Sequence, residues 1–343
     1  MGWMEDRLIG IDLGKKFLKI CKILSPAQKN KDSSVVSAMV DISALDKNAK
    51  SASIFAMLKK MDLEKDSVFL AVSGKDIINR EAVLSRSKIN SKDIKKEIKV
   101  EIENTITENL DKMYSSYNVL KNISEKECNV LFSAVPKEKV NSKFSLFSSM
   151  EDISVAGVNL ESFALANSFI TFGPDYKNSE SIALLNIGHK TTNVVVLSNK
   201  EIVFIKDIDF GGYDITKEIA SFYTISERLA EEIKRREDLR QKVNFNMRNV
   251  LKKTLPSLIE TVFRTIEHCV TRQAIVSLDR IVITGGGALT EGIDSFIEET
   301  LGVPTTKWNP LENNKVVGYS NKTLGFFLPI ALGLALEKES KNV

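Results

Sequence analysis

Residues Asp279 to Gly292 read Asp-Arg-Ile-Val-Ile-Thr-Gly-Gly-Gly-Ala-Leu-Thr-Glu-Gly. Ile281, Val282 and Ile283 are β-branched and suit a buried strand. Gly285, Gly286 and Gly287 permit positive φ, and without Cβ atoms they let a ligand lie against the backbone. The pattern predicts a helix starting near Ala288 to Thr290, whose free N–H groups and positive dipole end would face an anion held in the turn. Taken alone, the same residues also fit a plain glycine-rich connection. Two common nucleotide motifs are excluded. A dinucleotide fingerprint needs a third glycine where Thr290 stands, and the P-loop pattern fails because Gly10 to Gly14 is one residue short and Lys15 is followed by Lys16. Gly74-Lys75 fails as well, since Phe69 occupies the place of the partner glycine.

Working outward, 343 residues with 43% apolar and 27% charged side chains describe an ordinary globular chain with room for two or three domains. The formal charge of +3 is spread along the chain, which argues against a nucleic-acid partner. Cys21, Cys128 and Cys269 are far apart and the histidines are only His189 and His268, so reduced cytosolic thiols are expected and a zinc site is not. No apolar run reaches the length of a membrane span, and the first residues lack a signal-peptide core. The stretch Leu324 to Leu336, interrupted by Pro329, reads as a buried helix.

Residues Leu8 to Leu24 form a predicted hairpin turning at Gly14 to Lys16, with Asp12 at the end of the first strand. A carboxylate there is costly to bury unless it meets a cation, so Asp12 either faces a site or turns outward. Further strands are expected at Val35 to Ile42, Val68 to Val72 and Ile77 to Leu84, with a helix from Ser51 to Met61. Ile94, Ile98, Ile102, Ile106 and Leu110 recur every fourth residue, which predicts an amphipathic helix over Ser91 to Leu110 with a solvated charged face. Strands at Ser116 to Ile123 and Asn129 to Val135, a helix from Lys137 to Met150 and a strand from Ile153 to Val158 complete a small module at about 85–155. A helix from Glu161 to Ile170 leads to turn formers near Gly173 and Pro174, where a domain boundary near residue 175 is expected.

Then the N-terminal pattern starts again. Ile182 to Leu197 repeats the strand, polar residue, x-Gly turn and second strand, with Asn186 in the place of Asp12. A third strand from Glu201 to Asp207 leads through Phe210-Gly-Gly-Tyr-Asp214 into a helix from Ile215 to Phe222, and Ser226 to Gln241 is a charged helical stretch. Pro256 opens a helix over Ser257 to Val270 whose apolar stripe is Leu258, Ile259, Val262, Phe263 and Ile266. After the glycine turn come a helix from Gly292 to Leu301 and a short strand from Pro304 to Trp308. The repeat predicts two related α/β lobes facing each other.

Gly10-Ile-Asp-Leu-Gly14, Asn186-Ile-Gly188 and Ile283-Thr-Gly-Gly-Gly287 stand in the order and spacing of the two phosphate motifs and the adenosine motif of the superfold of actin, heat-shock chaperones and sugar kinases. Ala331-Leu-Gly-Leu-Ala335 is similar to its closing helix. Within that superfold the chain resembles the PilM family of type IV pilus assembly, and more distantly FtsA, through Phe204 to Thr216, Ala230-Glu-Glu-Ile-Lys234 and Val158 to Ala166. The resemblance runs from about residue 7 to 337. It implies two actin/RNase H-like lobes, the first built from 1–84, 156–178 and 322–343 and the second from 179–321, with 225–272 as its helical subdomain and 85–155 as an inserted α+β subdomain. It implies ATP or ADP with Mg²⁺ between the lobes, held by Asp12, Gly14, Lys15, Lys16, Asn186, Gly188, Lys190, Thr191, Gly211, Gly212, Glu231, Lys234, Gly285, Gly286 and Gly287, with Asp12 toward the metal. Glu231 and Lys234 match the positions that flank ribose and adenine, and an exposed helical face is their bland alternative.

The departures matter as much. Lys15 and Lys16 stand where the superfold usually offers hydroxyls, and Asn186 replaces an expected aspartate. An amide keeps a hydrogen bond but supplies no charge to a metal, so weak or absent hydrolysis is expected, or loss of the cofactor. By resemblance the chain is a cytoplasmic scaffold, peripheral at the inner membrane, that binds the N-terminal cytoplasmic peptide of a PilN-like membrane protein; self-association is left open. The last residues, Glu337 to Val343, carry no apolar stripe, which speaks against an FtsA-type membrane helix. The enzyme alternative, a small-molecule kinase of the same superfold, needs a catalytic base, and the sequence offers for it only Asp12, Asp209 or Asp214.

Overall fold

The computed structural model describes residues 8–24, 33–63, 66–85, 110–122, 127–174, 177, 180–242, 245–272, 274–312, 316–317 and 323–337. Its first sheet holds β1 (Ile9–Leu13), β2 (Phe17–Ile23), β3 (Ser33–Asp41), β4 (Val68–Val72), β8 (Val155–Leu160) and the two-residue β14 (Val316–Val317), in the order β14-β3-β2-β1-β4-β8. The second holds β9 (Ser181–Ile187), β10 (Thr192–Ser198), β11 (Glu201–Ile208), β12 (Arg280–Thr284) and β13 (Thr305–Lys307), in the order β11-β10-β9-β12-β13. Apart from β14, the two orders are the same: three antiparallel strands followed by two parallel ones. The repeat legible in the sequence is therefore a repeat of sheet topology. In each sheet the strand that carries the x-Gly turn, β1 or β9, is central and ends at the same edge.

A third sheet, β5-β7-β6, is built from β5 (Ile78–Ser85), β6 (Met113–Asn122) and β7 (Glu127–Pro136) and continues into helix α2 (Lys137–Phe144). It takes β5 from the stretch that the sequence reading gave to the first lobe. Likewise β14 pairs with β3 of the first sheet, although 316–317 fall in the stretch read as second lobe. The amphipathic helix expected at Ser91 to Leu110 lies almost wholly outside the described residues, as does part of the expected boundary near residue 175.

The remaining helices are α1 (Lys47–Lys60), α3 (Glu161–Phe172), α4 (Gly212–Tyr223), α5 (Glu227–Arg235), α6 (Glu237–Lys242), α7 (Met247–Thr254), α8 (Pro256–Thr271), α9 (Ile293–Leu301) and α10 (Pro329–Leu334). Helix α1 begins earlier than its apolar pattern suggests because Asp46 caps it, its Oδ1 accepting from Ala49 N at 2.8 Å. Pro329 opens α10 rather than breaking it, since the first turn of a helix has no use for that N–H. On α8 the stripe buries Leu258, Ile259 and Val262, whereas Phe263 is 49% exposed and is removed from the predicted core.

One apolar cluster joins the lobes: Phe169 and Phe172 of α3 and Leu332 and Leu334 of α10 pack with Val72 and Leu160 of the first sheet and with Leu184, Val195 and Val282 of the second. Two glycines let these layers touch. A Cβ on Gly333 would lie 1.7 Å from Ala164 O of α3, and one on Gly10 would lie 1.9 Å from Ala331 O of α10. The strand ends that carry the polar turns are left to face each other across a cleft.

Candidate functional site

A cavity of about 880 Å³ lies between the lobes. The first hairpin supplies Asp12, Gly14, Lys15 and Lys16, the second supplies Asn186, Gly188, Lys190 and Thr191, and Gly212, Glu231, Lys234 and Gly285 to Gly287 close the rest of its second-lobe wall. Gly211 is not among the lining residues. Its N–H donates to Asp214 Oδ2 at 2.9 Å at the start of α4, and a Cβ there would meet His189 O at 2.4 Å, so it serves packing and helix capping. Asp214, offered above as a possible base, is occupied by that cap and by Lys217 at 2.9 Å.

The glycine turn differs from its expected form. Gly286–Leu289 is a short 3₁₀ turn, and the α-helix α9 starts only at Ile293, after Gly292 in the left-handed region at φ +69°. No α-helix therefore begins at Ala288 to Thr290. The cause lies in the glycines: Gly285 has φ +86°, and its N–H is turned to Phe326 O at 3.0 Å, which holds the turn against the closing segment.

At one end of the cavity, Lys234 Nζ donates to Gly212 O at 2.8 Å, to Thr216 Oγ1 at 2.7 Å and to Glu231 Oε2 at 2.7 Å. Lys16 Nζ reaches Glu231 Oε1 at 3.1 Å from the other lobe and bridges the cleft. Burial works to raise the Glu231 carboxyl, but Lys234, Thr216 and Lys16 outweigh it and hold it at about 2. Lys234 also titrates low, because burial costs its ammonium more than Glu231 returns. His189 is pushed down by burial and by Lys16, and its ring lies 5.2 Å from that of Tyr213.

The other end is built around Asp12. The hairpin register pairs Asp12 with Lys19, and Lys19 Nζ donates to Asp12 Oδ2 at 2.6 Å. Asp12 Oδ1 is buried without a partner. Glu161, the first residue of α3, lines the cavity here, and burial together with the Asp12 charge raises its carboxyl. Asn186 cannot act alone, since its Nδ2 donates to Asn193 Oδ1 at 2.8 Å, and Asn193 Nδ2 donates to Asp207 Oδ1 at 2.9 Å. Asp207 Oδ2 accepts from Gly74 N of the first lobe at 2.7 Å.

Among the described residues no group of three or more His, Cys, Asp or Glu could hold a metal. The orphaned Asp12 Oδ1 fits a divalent cation held mostly by phosphates and water, with Asp12 as its protein contact, and nothing here fits a protein cage. Reading the sequence missed Lys19, Glu161, Lys139 and Lys143 as lining residues. Lys19 had a signal, because a hairpin that turns at Gly14 to Lys16 sets position 19 opposite position 12.

Residues 10–339 match the family described as type IV pilus assembly protein PilM. The cell shape-determining protein Mbl of Bacillus subtilis (strain 168) is 27% identical over 161 residues, covering 38% of this chain and 48% of that protein, so the chain spans about half the length of that curated relative. A solved PilM-PilN type IV pilus biogenesis complex is 19% identical with a TM-score of 0.78, covering 96% of this chain and 98% of its counterpart. A crystal structure of MreB5 of Spiroplasma citri bound to ADP is 15% identical with a TM-score of 0.50, covering 95% of this chain and 94% of that one. At these identities the structural likenesses establish the fold, which is actin-like.

Proposed function

Because the chain belongs to the family of type IV pilus assembly protein PilM, we propose that it is an actin-like scaffold of a type IV pilus or related filament or secretion complex. It holds ATP or ADP in the interlobe cavity, hydrolyses it weakly or not at all, and binds the cytoplasmic N-terminal segment of a PilN-like inner-membrane protein. The observation that carries the nucleotide reading is that three turns far apart in sequence line one cavity, whose volume lies within the roughly 300–1,000 Å³ of ligand pockets. Glu231 and Lys234 take the nucleoside end and the Gly14 to Lys16 turn takes the phosphates. When bound, a divalent cation would neutralise phosphate charge beside Asp12.

Weak hydrolysis is supported by Asn186, whose amide is spent on Asn193 and supplies no negative charge. Asn186→Asp is expected to raise ATP turnover roughly tenfold while costing about 1–3 kcal/mol of stability, because a carboxylate cannot donate to Asn193. Phosphate release and a denaturant titration measure the two effects. Wild-type turnover above roughly 1 s⁻¹ would contradict the weak-hydrolysis reading.

Among the described residues no helix is long and apolar enough to cross a membrane, and in this reading the partner supplies the membrane attachment. The partner reading takes its support from the likeness to the PilM-PilN complex. Fluorescently labelled peptides from the N-termini of candidate pilus membrane proteins are expected to bind the purified chain with roughly micromolar affinity. Failure of every such peptide to bind at roughly a hundredfold higher concentration would contradict it. Glu161 gives the cavity a carboxylate that a kinase reading would need, and ATP consumption against a panel of small hydroxyl compounds tests that alternative.

A further inference from the structure

Helix α2 follows β7 of the inserted sheet directly, yet its side chains do not stay with that subdomain. Glu138, Lys139, Ser142 and Lys143 line the interlobe cavity. Lys139 Nζ donates to Ser73 O at 2.7 Å and pairs with Asp76, while Lys143 Nζ donates to Ala71 O at the end of β4. The charges acting on Lys143 are chiefly those of Glu161, Asp12, Lys139 and Lys19, and those acting on Lys234 are chiefly Glu231, Lys16 and Arg235. In the first sheet Ile11 is paired with Leu70 and Val72 with Leu160, so Ala71, to which Lys143 donates, sits beside Asp12 and next to the strand end that leads into Glu161. The cavity therefore has, besides the Glu231–Lys234 network, a second end built on Asp12, Glu161 and Lys143.

The cations at that second end are not equivalent. Lys19 is committed to Asp12 at 2.6 Å and Lys139 to Asp76. Lys143 makes no ion pair among the described residues, and its hydrogen bond goes to a neutral carbonyl. Burial pushes its ammonium below the usual lysine range, against the pull of Glu161 and Asp12. A half-buried ammonium has three donors, and the hydrogen bond that Lys143 makes to Ala71 O leaves it able to take an anion in the cavity as well.

We propose that Lys143 is the subsite for the terminal phosphate of a nucleoside triphosphate, so that the inserted subdomain supplies the group that tells triphosphate from diphosphate. The inference rests on the nucleotide reading of the cavity. A charge-assisted hydrogen bond to the third phosphate favours ATP over ADP by about tenfold or more, since ADP ends short of it.

The test titrates ADP and a β,γ-imido ATP analogue into the full chain and into Lys143→Met and Lys143→Arg, with and without Mg²⁺. The wild type is expected to bind the analogue about tenfold more tightly than ADP, Lys143→Met to lose that preference with ADP affinity within about twofold of wild type, and Lys143→Arg to keep most of it. A wild type that binds both nucleotides equally, or a Lys143→Met protein that keeps the preference, overturns the proposal while leaving nucleotide binding intact. A wild type that binds neither overturns the nucleotide reading and this proposal with it. Should Lys143→Met fail to fold, amine-reactive labelling of the wild type decides: the analogue is expected to protect Lys143 more than ADP does, and equal labelling overturns the proposal.

Discussion

Lys234→Met is expected to lower the stability of the fold by roughly 2–3 kcal/mol, because it leaves the partly buried Glu231 carboxylate without its main partner. The Lys234 side chain is 8% exposed, and its ammonium satisfies three acceptors at once: Gly212 O, Thr216 Oγ1 and Glu231 Oε2. Without it, Glu231 keeps only Thr216 and the cross-cleft Lys16. Replacing both partners by apolar residues of similar volume is expected to recover much of the loss, since the penalty comes from a stranded charge rather than from the pair itself. The pH dependence carries the same signature. Glu231 titrates at about 2 in the fold against an ordinary 4.5, so its contribution is fully present above about pH 4.5 and is lost as pH falls through 2. Lys234→Met removes the principal interaction that depresses it, and the acid limb between pH 4.5 and 2 is expected to flatten. Chemical denaturation at pH 7 and at pH 3 measures both. A loss below about 1 kcal/mol would mean that the network is a surface feature rather than a structural one.

Gly333→Ala is expected to be at least as damaging, by about 3 kcal/mol or more, because the new methyl group meets backbone and not a movable side chain. Its Cβ would sit 1.7 Å from Ala164 O, so α10 and α3 must separate in the layer that joins both sheets. Residues such as Phe169, Leu332 and Leu334 then lose contact on both sides of that layer. The expected result is a large drop in melting temperature or failure to accumulate as folded protein. An alanine variant that melts within a degree or two of wild type would show that the helix crossing is looser than described.

Much of this architecture is legible in the residues. The strands Ile9–Leu13 and Val68–Val72 announce themselves as short apolar runs between turn formers, and the repeat of the first hairpin at Ile182 to Leu197 carries the two-sheet topology. Other features are not legible because they depend on distant chain segments. The two glycines at 211 and 212 look alike in sequence, but only Gly212 reaches the cavity, since Gly211 is pinned beneath His189. The turn at Gly285 to Gly287 looks like the start of an α-helix, yet the bond from Gly285 N to Phe326 O diverts it. Glu161 and Lys143 read as ordinary charged helix residues. Their place beside Asp12 follows from how β4, β8 and the inserted subdomain meet, which no local pattern encodes. Phe263 satisfies the apolar spacing of α8 and is nevertheless exposed, because the stripe on that helix is narrower than its apolar residues suggest.

The most direct test of the nucleotide cleft is isothermal titration of ATP into the purified full chain, beside the charge-reversed Lys16→Glu protein. The cleft as described predicts one site of roughly micromolar or tighter affinity, weakened about a hundredfold when a carboxylate replaces the ammonium that spans the lobes at 3.1 Å. A wild-type chain that binds no ATP at roughly millimolar concentration, or one that binds it equally well after Lys16→Glu, would contradict the account.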